Sequence, residues 1–297
     1  MARAVFGASI RRLEDPHLIR GAGRYVDDVQ PAGCLHAVFL RSHLAHATIQ
    51  RLSLDAARAA PGVVAVWSAD DLSDVKPLEI EEAVDGMPRP KRRLLASDRV
   101  RSVGEAVAML IAESVEAARD ALERIELDLE PLPVVTDVQR ALSEKAPLLY
   151  PELHSNIAFR KQRRRGAVKR AFDGAEVVIN ERLVNQRLIA APLEPRGALG
   201  WMEGGRLILQ LSSQSAYGVR DAVAGCLGID EDDVRVIVED VGGGFGSKGG
   251  CLAEELAVAD QPPAFPLRSF KQPGEVQRRP GEAIELGNYQ RVSLVRR

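Results

Sequence analysis

Cysteine is scarce in this chain, excess charge of either sign is missing, and so are long apolar runs. Cys34, Cys226 and Cys251 stand far apart and make no CxxC pair. That excludes a disulfide framework and a paired-cysteine metal site, and it fits a reducing compartment. The formal net charge is only −2, so no global pull toward nucleic acid or an anionic membrane is expected. No window approaches the roughly 18 apolar residues of a membrane span. The first twelve residues lack the apolar core of a signal peptide. These absences predict a soluble, cytoplasmic protein. The basic run over residues 160–165, with Lys169 and Arg170, has no interleaved aromatics. It reads as a solvated linker rather than a single-strand nucleic-acid platform. Among the five histidines, His43 and His46 lie three apart, yet nothing nearby completes a metal-ligand set. They read as part of a loop holding strand ends together.

What remains is an ordinary globular balance over 297 residues, 45% apolar and 28% charged. That length suits two domains or one large one. Residues 1–33 are punctuated by glycine, aspartate and proline and read as an extended arm. Residues 35–40 and 63–67 are strand candidates, with an alanine-rich helix between them. Residues 73–99 read as a surface excursion. Val107 to Ile111 is a short strand of the fully buried type. Ser114 can cap a helix over residues 115–123, with Glu113 and Glu116 near its positive end. Residues 125–129 alternate apolar and polar, as a half-buried strand does, before Pro131 and Pro133 stop them.

A second region is β-rich. Residues 177–179, 182–188 and 206–211 are strand candidates. Residues 217–227 are helical, with Gly228 as the stop, and residues 234–238 form a strand. Residues 253–259 are a short helical pattern. Residues 261–297 hold Pro262, Pro263, Pro266, Pro273 and Pro280 without apolar period, and they read as unpacked. Cys226 reads as a core thiol. For Cys251, helix packing and a pocket role both stay open.

The densest signal is Val241-Gly242-Gly243-Gly244-Phe245-Gly246-Ser247-Lys248. So many glycines let the backbone approach a ligand closely, and its amides can point at an anion where a helix begins. A dinucleotide-binding loop would need a second strand and an acidic residue about 20 positions on. Ser269-Phe270-Lys271 stands there instead, so a Rossmann-type binder is a distant third reading. A Walker A loop needs glycine before the lysine, where this chain has Ser247. A glycine-rich turn that only packs against its neighbours stays open.

The loop also resembles that of the xanthine dehydrogenase / aldehyde oxidase / carbon monoxide dehydrogenase large-subunit family, the molybdenum hydroxylases. Gln214 lies 31 residues before Phe245, where that family places a glutamine. Asn185-Gln186-Arg187-Leu188 and Pro192-Leu193-Glu194-Pro195-Arg196-Gly197 are similar to the entry of its molybdenum domain, in the carbon monoxide dehydrogenase-like form. Gly21 to Asp28, Arg41 to His46, Pro61 to Val66, Val103 to Ala108 and Glu130 to Asp137 resemble its a/b hammerhead domain.

The resemblance implies an α+β fold. An arm (1–20) would precede a hammerhead domain (21–138), a linker (139–174), the first part of a molybdopterin-binding domain (175–260) and a non-family tail (261–297). It implies a molybdenum–molybdopterin cofactor in the cytosine dinucleotide form. An FAD-binding medium subunit and a [2Fe-2S] small subunit are the implied partners, with a small-molecule substrate and no nucleic acid or membrane. The reaction would oxidise CO, an aldehyde or a heteroarene with water as oxygen source. The implied cofactor contacts are Gln214, Gly243, Gly244, Phe245 and Gly246. Purine-oxidising relatives carry a glutamate after the lysine; this chain has Gly249, which argues against a purine. The family's general-base glutamate belongs to a region this sequence does not reach, so no catalytic residue is identifiable. Because the likeness stops near residue 260, a frameshift or artificial junction is expected there. The alternative expectation is a non-catalytic fragment acting as an interaction module.

Overall fold

The computed structural model describes residues 6–78, 90, 92–158, 162, 165–186 and 188–260, together with the backbone of 267–272 and 289–294. In chain order the first half contains α1 (Asp15–Leu18), β1 (Leu35–Arg41), β2 (Ala47–Ser53), α2 (Asp55–Arg58), β3 (Val63–Trp67), β4 (Arg99–Val100), β5 (Ala106–Ala112), α3 (Val115–Leu122), β6 (Glu126–Pro131) and α4 (Val138–Ala141). The second contains α5 (Val168–Asp173), β7 (Gly197–Glu203), β8 (Arg206–Leu211), α6 (Ala216–Leu227), β9 (Val234–Ile237), α7 (Ala253–Ala259), β10 (Leu267–Gln272) and β11 (Tyr289–Leu294).

β5 organises the first half. All seven of its residues are buried, and it pairs antiparallel with β1 on one side and β3 on the other. Its alternate side chains enter different cores, as a period of two requires. Ala108, Leu110 and Ala112 meet Ala57, Ala118 and Ala121 beneath α2 and α3. Met109 and Ile111 enter the larger core on the other face. Burying each such large side chain contributes about 1.5–3 kcal/mol. The expected cap on α3 is present: Ser114 accepts from the Ala117 amide at 3.1 Å. A separate three-stranded sheet, β4-β2-β6, carries a third, smaller core. His46 sits at its margin, its Nδ1 2.9 Å from the Pro133 carbonyl, holding the start of β2 against the segment after β6.

The larger core is shared. Leu35, Phe39, Met109 and Ile111 from the first half pack in one cluster with Leu209, Leu211, Val219, Val223 and Leu256 from the second. Arg41 reaches Glu254 on α7 at 2.6 Å, adding a charged tie across the same boundary. In the second half β7 and β8 form a hairpin. β8 then pairs parallel with β9, with α6 as the crossover that parallel strands need. α6 ends where expected, at Gly228 in the left-handed region with φ 70°.

Three expectations change. Residues 177–179 and 182–186, with Leu188, form no strand; Val177, Ile179, Leu183 and Val184 stand exposed. Their side chains suit a strand, but a strand also needs a neighbour for its backbone, and none of the described strands pairs with them. Residues 261–297 are not wholly unstructured. β10 and β11 pair with each other and bridge β1 to β7. Backbone pairing, open to any extended segment along a strand edge, outweighs the missing apolar period. The linker stretch includes α4 and α5, both without a buried residue. Much of the basic run, at 160, 161, 163 and 164, lies outside the described residues, as do residues 79–89 of the expected surface excursion. Among the described residues no helix is long and apolar enough to cross a membrane.

Candidate functional site

Because β8 and β9 run parallel, their carboxyl ends open at the same end of the sheet. β8 leads into Ser212, Ser213 and Gln214, and β9 leads into the glycine loop. Residues 32 and 34 apart in sequence thereby meet, where open α/β sheets characteristically place ligands. The Gln214 side-chain Oε1 accepts from the Gly246 amide at 3.0 Å and the Lys248 amide at 3.3 Å. Its own backbone amide donates to the Lys248 carbonyl at 2.8 Å. The glutamine therefore closes the loop like a staple.

The loop's composition follows from that closeness. A Cβ on Gly244 would collide with Gln214 Oε1, and one on Gly242 with the Glu194 side chain. Phe245 follows them at φ 51°, a left-handed conformation unusual for a bulky residue. The residue is 75% exposed. A strained backbone presenting an exposed aromatic is a feature that clusters at functional sites.

Beneath the loop lies a layer of buried charge. Lys248 is fully buried, its Nζ donating to Ser212 Oγ at 2.6 Å and Glu194 Oε2 at 3.0 Å. Burial pushes its ammonium below the usual lysine value, while Glu194 pulls the other way. Arg196, also buried, grips Glu255 with two bonds of 2.8 and 2.6 Å. It donates as well to the Ser247 and Gly250 carbonyls. Burial opposes its charge, but Glu255 overrides that and holds the guanidinium above its ordinary value. The bidentate geometry is the strong form of such a bond. Cys251 is buried beside this pair, and desolvation raises its thiol well above the ordinary range, so the reactive thiolate form is suppressed.

Gln214, Gly243, Gly244, Phe245 and Gly246 thus come together at one place. The expectation that the loop amides face an anion narrows. Those of Gly246 and Lys248 are bound by Gln214, and Gly242 donates to Glu194 at 2.7 Å. Nor does a helix begin at Lys248; α7 starts at Ala253 and is seven residues long. Among the described residues, no hydrogen bond engages the amides of Gly243, Gly244 and Phe245. Sequence reasoning missed Lys248, Ser212 and Glu255 as partners. The available signal was Lys248, Glu194 and the Glu254-Glu255 pair, set in runs otherwise rich in glycine, proline or apolar residues. A cavity of about 840 Å³ adjoins the loop between α6 and the first half, lined by Lys76, Arg92, Ser215, Asp221, Cys251 and others. That volume is in the range of small-molecule sites.

Residues 20–133 match the aldehyde oxidase and xanthine dehydrogenase a/b hammerhead domain, and residues 149–260 match the molybdopterin cofactor-binding domain. The nicotine 6-hydroxylase large subunit of Paenarthrobacter nicotinovorans is 38% identical over 87% of this chain and 32% of its own length. The carbon monoxide dehydrogenase large chain of Afipia carboxidovorans is 34% identical over 83% of this chain and 32% of its own. The crystal structure of quinoline 2-oxidoreductase from Pseudomonas putida 86 superposes with a TM-score of 0.78 at 36% identity, covering 85% of this chain and 32% of that one. The chain spans about a third of the length of the relatives it matches.

Proposed function

This chain belongs to the xanthine dehydrogenase, aldehyde oxidase and carbon monoxide dehydrogenase large-subunit family, and we propose that its glycine loop and Gln214 form one wall of a molybdenum–molybdopterin pocket. The fold is α+β, a hammerhead domain followed by a molybdopterin-binding domain. The observation that carries the proposal is the staple. Gln214 Oε1 holds the Gly246 and Lys248 amides, so the loop keeps a fixed outer face with Phe245 exposed on it.

The residues fit the group. Three consecutive backbone amides, from Gly243 to Phe245, are unengaged among the described residues and are donors that would hold the group. The Gln214 amide nitrogen makes no hydrogen bond among the described residues and adds a fourth. Phe245 would pack over a flat substrate. When bound, the group supplies oxidation of a substrate carbon with oxygen drawn from water. The chain's own part is to hold it, orient it and exclude water, which makes each amide hydrogen bond stronger. Nicotine and quinoline, the compounds in two relatives' names, are nitrogen heteroarenes; a heteroarene is therefore the preferred substrate class over an aldehyde or CO. The cytosine dinucleotide form, flavin and [2Fe-2S] partner subunits, and a cytoplasmic setting complete the proposal.

A second reading is favoured by one observation. Val177, Ile179, Leu183, Val184 and Leu193 are largely exposed apolar residues within a short stretch, which suits an interaction module. One experiment separates the readings: molybdenum per chain after purification from a host that makes the cofactor. The cofactor reading expects near-stoichiometric metal, reduced about tenfold by Gln214→Ala through loss of its hydrogen bonds. A metal-free wild-type chain recovered in defined assemblies supports the module instead. Metal bound equally well by the variant removes Gln214 from the site.

A further inference from the structure

Glu194 is the meeting point of four segments. Its Oε2 accepts from the Gly242 amide at 2.7 Å, Ser212 Oγ at 2.6 Å and Lys248 Nζ at 3.0 Å. Its Oε1 faces the Val26 amide at 3.4 Å. Its own amide donates to the Gly242 carbonyl at 3.2 Å. Gly242 is the first glycine of the loop and Lys248 its last residue, so both ends fasten to the same carboxylate oxygen. Ser212 joins that oxygen from the end of β8, two residues before Gln214.

The fourth segment is the N-terminal arm. Val26 touches Glu194 directly. The neighbouring Arg24 amide donates to Asp240 at 2.8 Å, and the Asp240 amide donates back to the Arg24 carbonyl at 3.2 Å. His17 stands 3.3 Å from the same Asp240 carboxylate. The arm is therefore laid against the base of the loop, immediately before Gly242.

We infer that Glu194 is a positioning residue: a single carboxylate that fixes the two ends of the glycine loop and couples the loop to the N-terminal arm. A segment so rich in glycine loses much conformational entropy on ordering, so something outside it must set its shape. Glu194 is suited to this because three of its bonds converge on one oxygen, and its side chain is only 12% exposed. Its bond to Lys248 is charge-assisted at both ends, the stronger class of hydrogen bond. Gln214 cannot do the same work alone, since it binds only the second half of the loop, at Gly246 and Lys248. This deepens the proposed function by naming what pre-sets the cofactor-facing shape, and it rests on that reading only for what the loop binds.

The test is amide hydrogen exchange of the full chain without cofactor, followed peptide by peptide. Glu194→Ala is expected to speed exchange about tenfold or more in residues 242–248 and 24–28 together, the factor that loss of a charge-assisted bond gives. Exchange in β5 stays unchanged, which a general loss of stability would not allow. Glu194→Gln, which keeps an acceptor for Gly242 but no charge for Lys248, is expected to fall between wild type and Glu194→Ala. An unaltered loop, an unaltered arm, or a rise spread equally over β5 overturns the inference. Should Glu194→Ala fail to fold because Lys248 is left buried and unpaired, the double variant Glu194→Gln with Lys248→Met is measured against the same three outcomes. Molybdenum content is scored separately, so a chain that passes this test and binds no cofactor rejects the functional proposal and leaves the positioning role intact.

Discussion

β5 is buried along its whole length and the glycine loop is partly exposed, and the two are held by opposite means. β5 is seven buried apolar or alanine residues whose side chains fill cores on both faces. The loop contributes almost no apolar packing. Its place is set by Gln214 on one side and by Glu194, Lys248, Arg196 and Glu255 beneath. Apolar packing is spread over many weak contacts and degrades in proportion to the volume removed. A buried charge layer is concentrated in a few strong bonds, and deleting one partner strands the other. The first half therefore tolerates small changes, whereas the site half contains single points of failure.

The sharpest test of that contrast is Arg196→Met, which nearly conserves side-chain volume. It leaves the Glu255 carboxylate, with a side chain only 3% exposed, without its guanidinium. The Ser247 and Gly250 carbonyls lose their donors as well. The expected cost is about 3–5 kcal/mol in denaturant unfolding. Ile111→Val, the control in β5, should cost only about 0.5–1.5 kcal/mol. Equal costs for the two variants would break the comparison.

The same contrast decides how much could be read without the structure. β5, the Ser114 cap and the Gly228 stop were legible because their causes are local: an apolar run, a hydroxyl before a helix, a residue free to adopt positive φ. The stretch at 177–188 misled because strand propensity says nothing about the neighbour that must accept the backbone bonds. β10 and β11 were missed for the converse reason, since backbone pairing does not need an apolar stripe. The site was legible in part. The meeting of Gln214 with the loop came from family resemblance, and its physical cause, the parallel pairing of β8 with β9, is a tertiary fact. Nothing local marks Lys248 as buried. Its partners lie 36 and 54 residues away.

α7 carries the contrast within one helix. Glu255 in its first turn is neutralised by Arg196, whereas Asp260, just past its last turn, has no such partner among the described residues. Burial, with a smaller push from Asp74, raises the Asp260 carboxyl to about 6 from an ordinary 3.8. The folded state therefore holds this proton more tightly than the unfolded chain does. Its stabilising share is whole below about pH 3.8, declines as pH rises, and is gone above about pH 6. Discounted for partial solvent exposure, the swing is about 1–2 kcal/mol. Asp260→Asn should remove that decline between pH 4 and 6 and be the more stable protein at pH 7. A profile unchanged by the substitution would mean that Asp260 is as solvated as a surface carboxylate.

The smallest expected effect falls on the residue most exposed to a ligand. Phe245 is held at φ 51°, where a non-glycine residue is strained by about 1–2 kcal/mol. Glycine relieves that strain but adds about 0.5–1 kcal/mol of backbone freedom to the unfolded chain. Little packing is lost, because the residue is 75% exposed. Phe245→Gly should therefore leave the chain slightly more stable, by about 0.5 kcal/mol, while weakening retention of the cofactor or a flat aromatic ligand. That opposition of sign is the mark of a side chain kept for binding at some expense to the fold. If Phe245→Gly instead lowers stability by about 1 kcal/mol or more, the ring is packing the loop, and the loop is held by apolar contact after all.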